Sequence, residues 1–220
     1  MHRKACKPKP LNKTAISFCI IILLLSTVLF FNESQHKAIP LLLEKKTLLP
    51  DITHLQSGDL VLRHGKGFIS KLFLQFSQTD PQYSHAGVLS IENGQAWVYH
   101  AIGGEENQGG ALRKELLLNF CNPHDNFGYG LFRYELSPVE KIRLVAFAKR
   151  CYLHKLPFDT AMDLQTDNKM YCSEFIYKML KNALPEKNII PLSVISGRSY
   201  VAIDNLYMNP YCKAVYKQVY

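Results

Sequence analysis

The chain contains no Cys-x-x-Cys pair, although six cysteines are spread over its 220 residues. A zinc ribbon or a thioredoxin-type redox centre needs such a pair, so neither is expected. Internal repeats and low-complexity tracts are also missing. No basic cluster is interleaved with aromatics, which argues against a nucleic-acid interface despite a formal net charge of +8. Much of that charge is local. Arg3, Lys4, Lys7, Lys9 and Lys13 come before the first apolar run with no acidic residue among them; the remaining 21 basic side chains face 18 acidic ones, a net of +3. Nucleic acid is therefore not an expected partner.

Charge is absent altogether from residues 15–31. A run of 17 residues is at the short end for a bilayer span and slightly long for a signal-peptide core. No small-x-small cleavage pattern follows it, because Phe30, Phe31, Asn32, Glu33 and Ser34 offer none. Cys19 lies inside the run behind the bulky Phe18, which does not fit a lipoprotein site. The expectation is a basic cytoplasmic N-terminus at 1–14, a single-pass membrane anchor at 15–31 and a linker at 32–52. The remainder then faces the periplasm or exterior, since basic flanks stay cytoplasmic. A cleaved signal peptide and secretion form the alternative. Beyond the anchor, two of Cys121, Cys151 and Cys212 could be bridged in an oxidising compartment, and spacing does not choose which.

The domain from residue 53 to 220 reads as short strands alternating with helices. Ser57-Gly58-Asp59 turns the chain into a strand at 60–63, and residues 68–77 carry apolar side chains at helical spacing. Runs 85–91 and 95–102 are rich in strand formers and meet across Asn93-Gly94, a strong hairpin signal. A further strand is expected at 129–136. Ser137-Pro138-Val139-Glu140 is a capping box with proline at the first helical position, opening a helix to about residue 152. A last amphipathic helix spans Cys172 to Ala183, and Tyr200-Val201-Ala202-Ile203 is the best strand candidate in the tail. Together these predict an α+β domain, an antiparallel sheet packed against helices.

Cys172 at a helix N-terminus and His85 and His100 on one hairpin supply what a thiol nucleophile needs. The helix field favours thiolate, one imidazole acts as base, and the second orients it. A two-residue turn at Asn93-Gly94 places His100 opposite Gly87, so both histidines project from one face with Leu89, Ile91 and Val98. A one-residue slip would separate them. If the Cys172 helix packs on that face, thiol and imidazole can meet. Taken singly, each residue also has a plain role: Cys172 in the core, His100 a satisfied strand histidine, His85 a turn residue. Asp59 reads as a turn residue and Asp159 and Asp163 as caps, while Glu174 suits a first helical turn. His54, His64, His124 and His154 fall in loops or helix ends. A metal site from His85, His100 and Cys172 is chemically possible, but no neighbouring pair completes it, and no cofactor motif is present.

The motifs occur in a telling order: Ser57-Gly58-Asp59-Leu60-Val61, Tyr83-Ser84-His85-Ala86-Gly87-Val88, Val98-Tyr99-His100-Ala101, then Tyr171-Cys172-Ser173-Glu174-Phe175. This order resembles the YiiX/YaeF-like family, circularly permuted papain-like amidases related to NlpC-type cell-wall peptidases and to lecithin:retinol acyltransferase. The likeness covers roughly residues 55 to 205, and Leu131-Phe132-Arg133 matches the strand that follows the histidine hairpin. It implies a permuted papain-like fold, Cys172 as nucleophile, His85 as base and His100 as the third polar residue. Relatives in the YiiX branch carry glutamate at that third position and the acyltransferase branch histidine. The implied activity is thiol hydrolysis of an amide or ester through a Cys172 acyl-thioester, without a cofactor. Expected substrates are cell-wall peptides or acylated amines and lipids of the envelope. Acyl transfer and a non-catalytic binding module on the same fold are the alternatives. Oligomeric state is not legible.

Overall fold

Asn93 and Gly94 both take positive φ, 50° and 75°, as a two-residue hairpin turn of the primed type requires. The computed structural model describes residues 49–103 and 110–220. Strands β2 (His85–Glu92) and β3 (Gln95–His100) flank the turn and pair from Glu92↔Gln95 to Val88↔Tyr99. This is the register that the Asn93-Gly94 signal predicts. Around it lie β1 (Leu60–Gly65), β4 (Arg113–Leu116), β5 (Asn126–Tyr134) and β8 (Cys212–Val219), in the order β4-β3-β2-β1-β5-β8. Every pairing is antiparallel. A small separate ribbon joins β6 (Ser193–Ile195) to β7 (Arg198–Tyr200).

Alternation along the strands divides the core in two. Leu60, Leu62, Ala86, Val88, Tyr99 and Phe132 point to one face and pack with the helices α3 (Pro138–Leu153) and α4 (Cys172–Ala183). The stripe of α4 that faces them contains Phe175, Ile176, Met179 and Leu180, all buried. Val61, Leu89, Val98, Tyr129 and Leu131 point to the other face, where the single-turn helix α2 (Leu117–Phe120) covers them. Helix α3 begins as its sequence requires. Ser137 Oγ accepts the Glu140 N–H, and Glu140 Oε2 accepts the Ser137 N–H at 2.6 Å. Two further helices, α1 (Phe68–Leu74) and α5 (Ile203–Tyr207), lie near the loop that leads into β2.

Several expectations are corrected. The segment at 200–203 is not one strand: β7 ends at Tyr200, and Ile203 opens α5. Strands β4 and β8 are additional, and charged or alternating polar sequences hide both. Helix α4 packs on the face opposite the histidines, not on theirs, because its stripe is filled by Ala86 and Val88. Cys121, Cys151, Cys172 and Cys212 are all free thiols. Asp59 does more than turn the chain: it is buried, accepts the Gln56 N–H, and holds Arg133 through both carboxylate oxygens at 2.6 and 2.8 Å. The segments 1–14 and 15–31, and the linker up to residue 48, lie outside the described residues. Among the described residues no helix is long and apolar enough to cross a membrane.

Gly87 sits opposite the start of this hairpin. A Cβ there would lie 2.4 Å from Val98 Cγ1 and 3.2 Å from His100 Cβ. Gly87→Ala is therefore expected to cost about 1–3 kcal/mol through overpacking. Chemical denaturation checks this, and an unchanged midpoint would refute it.

Candidate active site

His85 opens β2 and His100 closes β3, so the two rings share a sheet face at one end of the hairpin. Their nitrogens meet: His85 Nε2 and His100 Nδ1 are 2.9 Å apart, with the rings edge to face. Phe120 of α2 packs against both rings and keeps water from them. His100 is fully buried, and its other nitrogen, Nε2, lies 2.9 Å from Glu115 Oε1 on β4. That approach is close but off the line of an ideal N–H bond, so it acts as a contact between a carboxylate and the dipole of the ring. Burial is the main reason that both imidazoles are held below their ordinary pKa; for His85 the Arg63 guanidinium adds to it, and for His100 Glu115 partly opposes it. Both rings are therefore neutral near pH 7.

Neutral rings fix a tautomer chain. A carboxylate only accepts, so Glu115 favours a proton on His100 Nε2. His100 Nδ1 then accepts, His85 Nε2 donates, and the lone pair on His85 Nδ1 is left for a third group. Glu115 was not legible in the sequence. Arg113-Lys114-Glu115 looks like a solvated charge run, and only the β3–β4 pairing sets Glu115 opposite Val98, two residues from His100.

Cys172 is buried at the first position of α4. Its sulfur lies beside the start of the central strand β2, where backbone N–H groups of Ala86, Ser173 and Cys172 itself favour the thiolate. Ala86 follows His85 directly, so the sulfur lies beside the start of β2, while the His85 side chain projects from the opposite face of that strand. The helix field alone predicts a lowered thiol pKa. Burial reverses this and pushes the thiol up to about 11, with the N–H groups and Arg63 opposing it. Cys172 thus rests as a neutral thiol and His85 as a neutral imidazole.

The other candidates have structural work. Asp159 accepts the N–H groups of Ala161 and Asp163 and pairs with Lys169, and Asp163 accepts that of Gln165, so both brace the turns between the two long helices and cap neither. His124 is exposed and paired with Asp125. His64 packs edge-on against Phe127. Glu115 also lines a polar cleft of about 630 Å³ with Arg63, Lys66, Arg113, Asn119 and Asn126. No group of three or more His, Cys, Asp or Glu that could hold a metal ion exists among the described residues.

Residues 54–193, which contain this whole constellation, match the family described as permuted papain-like amidase enzyme, YaeF/YiiX, C92 family. The chain belongs to this family. Similarity to the uncharacterized protein YiiX of Escherichia coli K12 is 31% identity over 131 residues, 59% of this chain. The chain spans about 59% of that relative's length as well. A crystal structure described as metalloprotein yiiX from Escherichia coli O157:H7 superposes with a TM-score of 0.62 at 21% identity, covering 76% of this chain and 99% of that one. At that identity the superposition establishes the fold: a mixed helix and antiparallel-sheet domain of the permuted papain-like type.

The start of the Cys172 helix is also sensitive to pH in this family member. Glu174 is buried in the first turn, where Oε2 accepts the Tyr171 N–H at 3.1 Å and Oε1 lies 2.9 Å from Lys178 Nζ. Burial outweighs both partners and lifts the carboxyl from its ordinary 4.5 to about 7. A carboxyl with a raised native pKa stabilises the fold below the unfolded value and loses that contribution as pH rises through the native one. Between pH 5 and 8 the native protein should lose on the order of 2 kcal/mol relative to Glu174→Gln. Thermal unfolding of both chains across that range tests it; parallel curves would rule it out.

Proposed function

We propose that this permuted papain-like amidase is a thiol hydrolase with Cys172 as nucleophile, His85 as base and His100 as the residue that orients the base. The observation that carries the proposal is the 2.9 Å His85–His100 contact, which commits His85 Nε2 and leaves Nδ1 uncommitted, one residue from the Ala86 N–H that favours the Cys172 thiolate. His85 Nδ1 takes the thiol proton as sulfur attacks the substrate carbonyl carbon. The tetrahedral oxyanion forms next to the first-turn N–H groups of α4, which have no helical acceptor. Its collapse breaks the bond to the amine or alcohol, which leaves with the proton from His85. Water then gives a proton to Nδ1, its oxygen attacks the thioester, and Cys172 leaves as thiol when His85 returns that proton.

Candidate substrates are cell-wall peptides or acylated molecules of the envelope, on a domain held at the outer face of a membrane by residues 15–31. The related yiiX structure is that of a metalloprotein, but the donors of this site do not fit a metal ion. Two of the four ring nitrogens face each other and a third faces Glu115, and no group of three or more His, Cys, Asp or Glu among the described residues is arranged to hold a metal ion.

An activated acyl ester such as a p-nitrophenyl ester tests the proposal with the full chain. A burst of one nitrophenol per chain and an acyl mass on Cys172 are expected, both lost in Cys172→Ala. His85→Ala should slow acylation about 10²- to 10⁴-fold. Because the His85 pKa is depressed, the base is already free below pH 6.5, and acylation should hold level from there upward. A rate that climbs in proportion to hydroxide up to pH 8.5, unchanged in His85→Ala, describes an unassisted thiol and refutes the mechanism.

A further inference from the structure

Helix α1 is built inside out. No residue in it is buried, and Phe68, Ile69 and Leu72 are 73%, 58% and 39% exposed. At 100° per residue these three form one stripe, while Ser70, Phe73 and Leu74 turn toward the domain and are half-buried. The helix cannot roll its apolar stripe inward, because the chain after it is fastened. Phe76 packs edge-on against Tyr200, whose hydroxyl donates to the Phe76 carbonyl at 2.9 Å. Asp204 Oδ2 then accepts the N–H groups of Gln78 and Thr79 at 2.7 and 2.6 Å. Three large apolar side chains are thus held out in water on a fixed platform, next to the lip of the polar cleft at Gly65, Lys66 and Ser70.

Along the chain, the charge that flanks the stripe is of one sign, although Glu115 and Asp125 line the cleft beyond Lys66. Between Asp59 and Asp80 the sequence has Arg63, Lys66 and Lys71 and no acidic residue. Lys66 also lies 5.5 Å over the ring of Phe127, itself 46% exposed, so another apolar surface borders the same edge. An apolar stripe with flanking lysines is what an interfacial helix presents to lipid: rings and aliphatic groups enter the acyl boundary while ammonium groups stay at the headgroups. The chain outside the structure fits this partner. The uncharged run 15–31 ends 17 residues before Leu49, a tether that reaches about 60 Å at most.

We infer that α1 is a membrane-docking element: Phe68, Ile69 and Leu72 insert into the surface of a bilayer whose anionic headgroups pair with Lys66 and Lys71. Docking this way sets the mouth of the cleft at the lipid surface. It does not depend on the Cys172 chemistry, and Cys172→Ala should dock unchanged.

The full chain, reconstituted into phosphatidylcholine–phosphatidylglycerol vesicles with or without dibrominated acyl chains, tests it by tryptophan quenching. Trp97 is replaced by Phe, and one reporter is introduced as Ile69→Trp or, for comparison, as Ile142→Trp at an exposed position on α3. Should the Trp97→Phe background fail to fold, Trp97 is kept and its own quenching subtracted. The expected result is quenching of the residue 69 reporter at least about twofold above that at 142, reduced by Lys66→Glu with Lys71→Glu. Equal quenching at the two positions, or none, overturns the inference. Quenching at 69 that survives the charge reversal overturns the anionic partner. A concentration-dependent blue shift at 69 without lipid assigns the stripe to a second copy of the chain and overturns it too.

Discussion

The pairing register of β2 with β3 is the constraint on which the site depends. Fixed at Asn93-Gly94, it puts His85, Gly87, Leu89, Val98 and His100 on one face and Ala86, Val88 and Tyr99 on the other. A slip of one residue would exchange the two sets. The histidines would then turn into the packing of α4, and the alanine and valine that receive Phe175 and Ile176 would turn toward Phe120. The same register makes Gly87 the partner position of His100, where a side chain would push into Val98. Fold stability and site geometry therefore rest on one set of backbone hydrogen bonds.

Burial sets the electrostatics of the site more strongly than any single charge. The helix N-terminus, three N–H groups and Arg63 all favour a Cys172 thiolate, yet desolvation lifts the thiol to about 11. The same penalty keeps both imidazoles neutral, and it holds Glu174 near 7 despite Lys178 at 2.9 Å. The thiol and the imidazoles therefore stay uncharged in the resting protein. In the proposed mechanism, proton transfer from sulfur to imidazole is then coupled to carbonyl attack, not completed beforehand.

The third polar position holds a histidine here, where the resemblance to the YiiX branch implies a glutamate. A neutral imidazole is a weaker orienter than a carboxylate, because it carries no charge to stabilise a protonated partner. The structure places a carboxylate one step further out, at Glu115, in contact with the far nitrogen of His100. Carboxylate, imidazole and imidazole then form one line that ends at His85 Nδ1. Glu115 also borders the polar cleft, which links the outer end of that line to solvent.

Local chemistry was legible in the sequence. Asn93-Gly94 dictates its turn because both residues tolerate positive φ, and Ser137-Pro138-Val139-Glu140 dictates a helix start because its side chains satisfy the N–H groups there. The two histidines follow from the turn by counting, and Cys172 from the period of its helix. What the sequence could not say is which face of the sheet α4 covers, since an apolar stripe fits either face and only the competing fill by Phe120, Leu117 and their neighbours decides it. It could not assign Glu115, whose partner comes from a strand pairing between residues with no local signal. It could not foretell the direction of the thiol's shift either, because the helix field is a property of a few neighbouring residues, while desolvation is the summed effect of everything the fold packs around the sulfur.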